Sequence, residues 1–97
     1  MFGPVTCIYP YTRIEDAIRT ANALPFSFQA SIFTEDLRTA FTAAEHLAAS
    51  AVMVNDHTAF RVDWMPFAGR RQSGYGVGGI PDTMREMTEE KMIVFRM

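Results

Sequence analysis

Three short apolar runs, "VTCIY" (5–9), "FSFQASIF" (26–33) and "AVMVN" (51–55), are separated by two stretches of helical periodicity. That alternation constrains the fold more than any other feature of the chain. The first run is β-branched and aromatic, with Gly3-Pro4 and Pro10 at its edges, and reads as a short buried strand. After it, Thr12-Arg13-Ile14-Glu15 fits a capping box, with the Thr12 hydroxyl and the Glu15 carboxylate each serving an unpaired amide. Ile14, Ala17, Ile18 and Ala21 then recur at helical spacing on one face. A second helix is announced by Thr34-Glu35-Asp36, a capping hydroxyl and two acids at the positive end. Its apolar stripe is Leu37, Ala40, Phe41, Ala44, Leu47 and Ala48. The third run is almost continuously apolar, as in strands covered on both sheet faces. The expected fold class is therefore α/β: a three-layer α-β-α piece with a small parallel sheet, β-α-β-α-β, joined by right-handed crossovers.

The stretch 56–79 has no periodicity, yet Phe60, Trp64, Phe67 and Tyr75 make it too aromatic for a disordered tail. A short helix over Pro81 to Met87 and a strand, "KMIVFRM" (91–97), with no partner in the sequence, complete the expected order. Ninety-seven residues suggest one domain, 1–97. A net charge of −2 gives no electrostatic reason to expect nucleic acid. No apolar run approaches the roughly 20 residues that cross a bilayer, so no membrane partner is expected. The single cysteine, Cys7, makes no internal disulfide and supplies no metal-ligand pair, which points to a reducing cytoplasm.

"SGYGVGG" (73–79) contains the spacing of a dinucleotide-binding glycine loop. That fingerprint needs a hydrophobic strand entering the first glycine and an acid about 20 residues downstream. Here "GRRQS" precedes Gly74, and 18 residues remain after Gly79. The glycines read as a turn that permits positive φ, and pyrophosphate binding by Gly74 to Gly79 is the weakest of the functional readings.

Six segments, in order, resemble the C-terminal part of the aldehyde dehydrogenase superfamily. They are "FGPV" (the end of E-x-F-G-P), "AIRTAN" (A-x-x-x-A-N), "ASIFTEDL", "VMVND", "MPFAGRRQSGYG" (P-F-G-G-x-K-x-S-G-x-G) and "MTEEKMIVF" (T-x-x-K). The resemblance implies a portion of the catalytic domain over 1–76 and a terminal helix with an oligomerisation strand over 77–97. It also implies an NAD(P)-dependent oxidation of an aldehyde to a carboxylic acid in the full-length family. There a cysteine thiolate attacks the aldehyde, hydride passes to NAD or NADP, and a glutamate-activated water releases the acid. Those groups and the cofactor fold lie upstream of F-G-P, and Met1 stands at the x of E-x-F-G-P. The expectation is thus of no catalytic residue, no metal and no cofactor held by this chain alone. Cys7 is expected inside an apolar strand, where burial would raise the thiol pKa.

The residues that carry over are supporting ones. Phe2 aligns with the phenylalanine against the nicotinamide side of the cofactor, and Phe67 with an aromatic wall of the aldehyde tunnel. Thr58 to Met65 borders that tunnel, and Arg61 within it is placed for a bidentate contact with an anionic substrate group. Ordinary core packing is the alternative for both phenylalanines, a solvated loop the alternative for Arg61. His57 and His46 read as histidines bonded to backbone or solvent. Ser27, Ser50 and Ala68 replace usual glycines, where a left-handed backbone would cost of order 1 kcal/mol each. Two further readings stay open: an interaction module that self-associates through strand Lys91 to Met97, and a drifted remnant without catalysis.

Overall fold

The structure is a computed structural model that describes residues 3–97. Its elements, in chain order, are α1 (Ile14–Asn22), β1 (Phe26–Ser27), β2 (Gln29–Ile32), α2 (Leu37–His46), β3 (Ala51–Val54), β4 (Arg70–Arg71) and α3 (Ile80–Glu86). The centre is a β-α-β unit. β2 and β3 pair in parallel, from Gln29 opposite Ala51 to Ile32 opposite Val54, with α2 as their connection. Asp36 caps α2: its carboxylate accepts the Thr39 amide at 2.8 Å and the Thr39 hydroxyl as well. Ala40 and Ala43 on α2 and Met53 on β3 are the buried apolar residues among those described. The small side chains let the helix lie close to the sheet. Leu37 and Phe41, expected on the inward stripe, are mostly exposed.

The run 26–33 is two strands rather than one. Phe28 interrupts it, and the chain changes partner there: β1 pairs antiparallel with β4, with Phe26 opposite Arg71, while β2 keeps β3. Ser50 marks the change, because its amide and its hydroxyl both donate to the Phe28 carbonyl at 2.6 Å. Hence 56–79 is not structureless. It carries β4 and an antiparallel bridge between Phe67 and Gly78, whose amides and carbonyls are exchanged at 2.8 and 2.7 Å.

Three local expectations fail for identifiable reasons. Residues 5–9 form no strand, and Val5, Ile8 and Tyr9 are exposed, because among the described residues no strand pairs with them to complete a ladder. Among the described residues, the expected sheet of three parallel strands between helix layers is therefore absent, and what stands is a small α/β piece of three helices and two two-stranded sheets. At α1 the cap is Arg13, one residue later than the Thr12 box, and its side chain makes no capping hydrogen bond. Glu15 is held below its ordinary carboxylate range by its own backbone amide first, against a smaller opposing effect of desolvation, with Arg13 adding its charge at 3.4 Å. Finally, residues 88–97 follow α3 without regular structure and lie in solvent.

The dimensions agree with this openness. The radius of gyration is 18.5 Å, against about 12.5 Å for a compact chain of this length. The accessible surface is 8802 Å², where a compact 10.9 kDa chain would show about 5600 Å². Much apolar surface that the sequence pattern assigns to an interior is left at the outside.

Candidate functional site

Phe67 and Arg61, separated by a sharp turn of the 56–79 segment, meet in space. The Arg61 guanidinium lies over the Phe67 ring, 4.7 Å from its centroid, a cation–π contact that also fixes the arginine's plane. One guanidinium nitrogen of Arg61 donates to the Met65 carbonyl at 2.9 Å. On its other side Phe67 meets Phe28 edge-on, at 4.9 Å and 83°, the geometry that brings a positive ring edge to a negative face. Phe28 was not singled out by the sequence. Its signal was faint: an aromatic in a strand-like run, with nothing to say that the strand breaks there. Phe67 stays about half exposed and lines an open cleft with Phe26 and Phe28, whereas Arg61, also exposed, faces a neighbouring cleft with Asp63 and Ile80.

Two glycines make this wall possible. Gly69 packs so tightly that a Cβ there would stand 2.6 Å from the Ser73 carbonyl carbon. Gly79 has φ of 124° and begins α3, and its Cβ position faces the Met65 carbonyl at 3.1 Å. The remaining glycines do not build a dinucleotide cradle. No apolar strand enters Gly74, the Gly78 amide is committed to Phe67, and α3 is a helix of seven residues.

Other candidates fall away from the wall. Phe2 lies outside the described residues. The His57 ring nitrogen Nδ1 accepts the Ala59 amide at 3.2 Å, and His46 Nδ1 lies 2.8 Å from the Thr42 carbonyl; each is a local contact to backbone. Cys7 is exposed rather than buried in a strand. Among the described residues, no cluster of His, Cys, Asp or Glu is arranged to hold a metal, and no helix is long and apolar enough to cross a membrane.

The strain expected at the three replaced glycines is not found. Among the described residues, the non-glycine positions with positive φ are Asn55 (58°) and Arg71 (56°), so Ser27, Ser50 and Ala68 have ordinary backbones. Two of the replacements add hydrogen bonds instead: the Ser27 hydroxyl donates to the Ala48 carbonyl, and Ser50 to Phe28. The residues that sequence reasoning passed over are the hydrogen-bonding hubs. The Asn55 side chain accepts the Thr34 amide at 2.8 Å and donates to the Thr34 carbonyl at 2.9 Å, extending the β2–β3 pairing beyond its last ladder rung. The Asn22 amide group joins the ends of both long helices, donating to the His46 carbonyl at 2.7 Å and accepting the Ala48 amide at 2.8 Å. For Asn55, at a φ of 58°, one signal was available, since asparagine tolerates positive φ better than most residues; both asparagines stand inside the quoted motifs.

Comparison with known proteins places this geometry. A model of the aldehyde dehydrogenase family matches residues 1–93. The 3-sulfolactaldehyde dehydrogenase of Priestia aryabhattai is 39% identical over 97 residues, all of this chain and 20% of that protein. The structure of aldehyde dehydrogenase 21 from Physcomitrella patens, in complex with the reaction product succinate, matches with a TM-score of 0.86 and 38% identity. It covers 97% of this chain and 20% of that one. An aldehyde dehydrogenase of Bacillus cereus in complex with NAD+ gives 0.84 at 31% identity, covering 91% of this chain and 18% of that one. A glyceraldehyde-3-phosphate dehydrogenase of Methanocaldococcus jannaschii complexed with NADP gives 0.73 at 38%, covering 78% and 17%. Homologues thus bind NAD+ or NADP, and the chain spans about a fifth of the length of the curated relatives it matches. With the family match running through nearly every residue and the fold agreeing, this chain belongs to the aldehyde dehydrogenase family.

Proposed function

We propose that the chain is the C-terminal portion of an NAD(P)-dependent aldehyde dehydrogenase, in which it supplies one wall of the aldehyde tunnel and has no turnover by itself. In this reading residues 1–76 belong to the catalytic domain and 77–97 form the terminal helix and assembly segment. The observation that carries it is the stack of Arg61 on Phe67. A guanidinium whose plane is fixed, on an exposed aromatic wall, suits an aldehyde that bears a carboxylate, sulfonate or phosphate at its far end. Incubating the purified chain with NAD or NADP and such aldehydes should yield no reduced cofactor; turnover abolished by Cys7→Ala would contradict this. In a full-length relative carrying this segment in place of its own, Arg61→Ala should raise KM for an anionic aldehyde by about 10- to 100-fold, the worth of one charged contact. A neutral aldehyde of equal length should be unaffected. Equal losses for both would remove Arg61 from the tunnel.

A second reading, self-association through Lys91 to Met97, is favoured by one observation: Met92, Ile93, Val94 and Phe95 are each at least 64% exposed in sequence. An apolar run with unpaired backbone is a template for another chain. Sedimentation should find a dimer or larger assembly, and a monodisperse monomer at high micromolar concentration would exclude it.

A further inference from the structure

We infer that Arg71 is a positioning residue: it latches the segment carrying Phe67 to the C-terminal end of α1 and so sets the tunnel wall. Arg71 holds φ at 56°, a left-handed conformation that a side-chain-bearing residue resists. Such a conformation persists only where the surroundings determine it. Here they do. One guanidinium nitrogen donates to the carbonyls of Asn22 and Leu24, both at 2.7 Å. These belong to the last turn of α1 and the residues just after it, where unpaired carbonyls and the negative end of the helix dipole favour a cation. Asn22 is also the residue whose side chain grips the end of α2. The latch therefore reaches both helices through one contact point.

Its consequence for the wall follows along the chain. Arg71 pairs with Phe26 in the β1–β4 ladder, the Gln72 amide donates to the Pro25 carbonyl at 3.1 Å, and the Ser73 hydroxyl accepts the Ser27 amide at 2.8 Å. Arg70 reaches the opposite way, to the Ala49 carbonyl at 3.1 Å. Phe28 follows β1 directly, and Phe67 lies four residues before Arg71, with Gly69 wedged against Ser73 between them. The two rings of the wall thus hang from the two strands that the latch holds together. The functional meaning rests on the tunnel reading, whereas the geometry does not.

The test is residue-resolved amide exchange on the chain, with the Arg61 Nε–H resonance as a reporter of its place over the Phe67 ring. Arg71→Ala should speed exchange at Phe67 and Gly78 about tenfold, the loss of a charge-assisted contact. It should also shift the Arg61 signal towards that of a free guanidinium, while the Asn55 amide, bonded to Ile32, is unchanged. Arg71→Lys should restore most of the protection. Arg71→Gly relieves the backbone and still removes the latch, so it should behave like the alanine variant. Unchanged exchange in Arg71→Ala, a gain of protection in Arg71→Gly, or an equal loss at Asn55 would each overturn the proposal. Exchange is blind to whether Phe67 meets substrate, so the latch and the tunnel reading fail separately.

Discussion

The segments 5–9 and 51–55 both read as apolar strands in the sequence and have opposite fates. Both are apolar, β-branched and bounded by turn residues. Residues 51–54 form β3, because β2 presents a ladder in register and Asn55 extends it through Thr34. Residues 5–9 stay extended and exposed, with Ile8 at 88%. The terminal run 91–97 repeats the second case. The difference is not propensity but pairing: a strand-like sequence becomes a strand only where a partner satisfies its amides and carbonyls. In this chain the centre carries its own partners and the ends present theirs to whatever lies alongside.

The contrast is broken most severely by disturbing the centre. Gly69→Ala drives a methyl into the Ser73 backbone, which no side-chain rotation relieves. A loss of about 3 kcal/mol is expected, most of the stability of a chain this size, seen as a fall in the urea midpoint with the β1–β4 pairing gone. Asn55→Ala removes both bonds to Thr34 and places alanine at a φ of 58°. The expected loss is about 1–3 kcal/mol, read in the same unfolding curve. If either variant unfolds at the wild-type midpoint, the centre is not what holds the fold.

A smaller effect sharpens the comparison through pH. The Thr39 hydroxyl, and after it the Thr39 amide, hold the Asp36 carboxyl below its ordinary value of 3.8. A depressed folded-state pKa contributes stability that is complete above the ordinary value and fades as pH falls through the folded one. Stability should therefore decline on acidification below about pH 4. In Asp36→Asn, which still caps but cannot titrate, that part of the decline should vanish; an unchanged acid limb would show that the cap is not formed.

How much of this was readable beforehand divides along the same line. α2, β3 and the location of α3 follow from local pattern, since apolar period, the Thr34-Glu35-Asp36 run and Pro81-Asp82 are all short-range signals, although the cap of α2 is the Asp36 carboxylate rather than the expected Thr34 hydroxyl. The β1–β4 pairing joins two two-residue strands far apart in sequence, with Phe26 opposite Arg71, and local pattern announces only the first of them. Nothing in "GRRQS" reads as a strand, and the partner change at Phe28 depends on contacts distant in sequence. Arg61 and Phe67 are singled out by motif position and residue type, and the structure brings the two into contact. Phe28 and Arg71 were missed because their roles lie in where the chain returns, not in what they are. Family membership was legible from ordered motifs even though the three-strand sheet drawn from the same residues was not realised.

The most direct measurement is amide exchange of the dilute chain, repeated at high micromolar concentration. The account predicts slow exchange at Ser50, Asn55, Phe67 and Gly78, whose amides are bonded within the chain. Residues 6–9 should exchange at the unprotected rate, and 91–97 should slow only as concentration rises. Slow exchange through 6–9 in the dilute chain, or free exchange at Asn55, would contradict it.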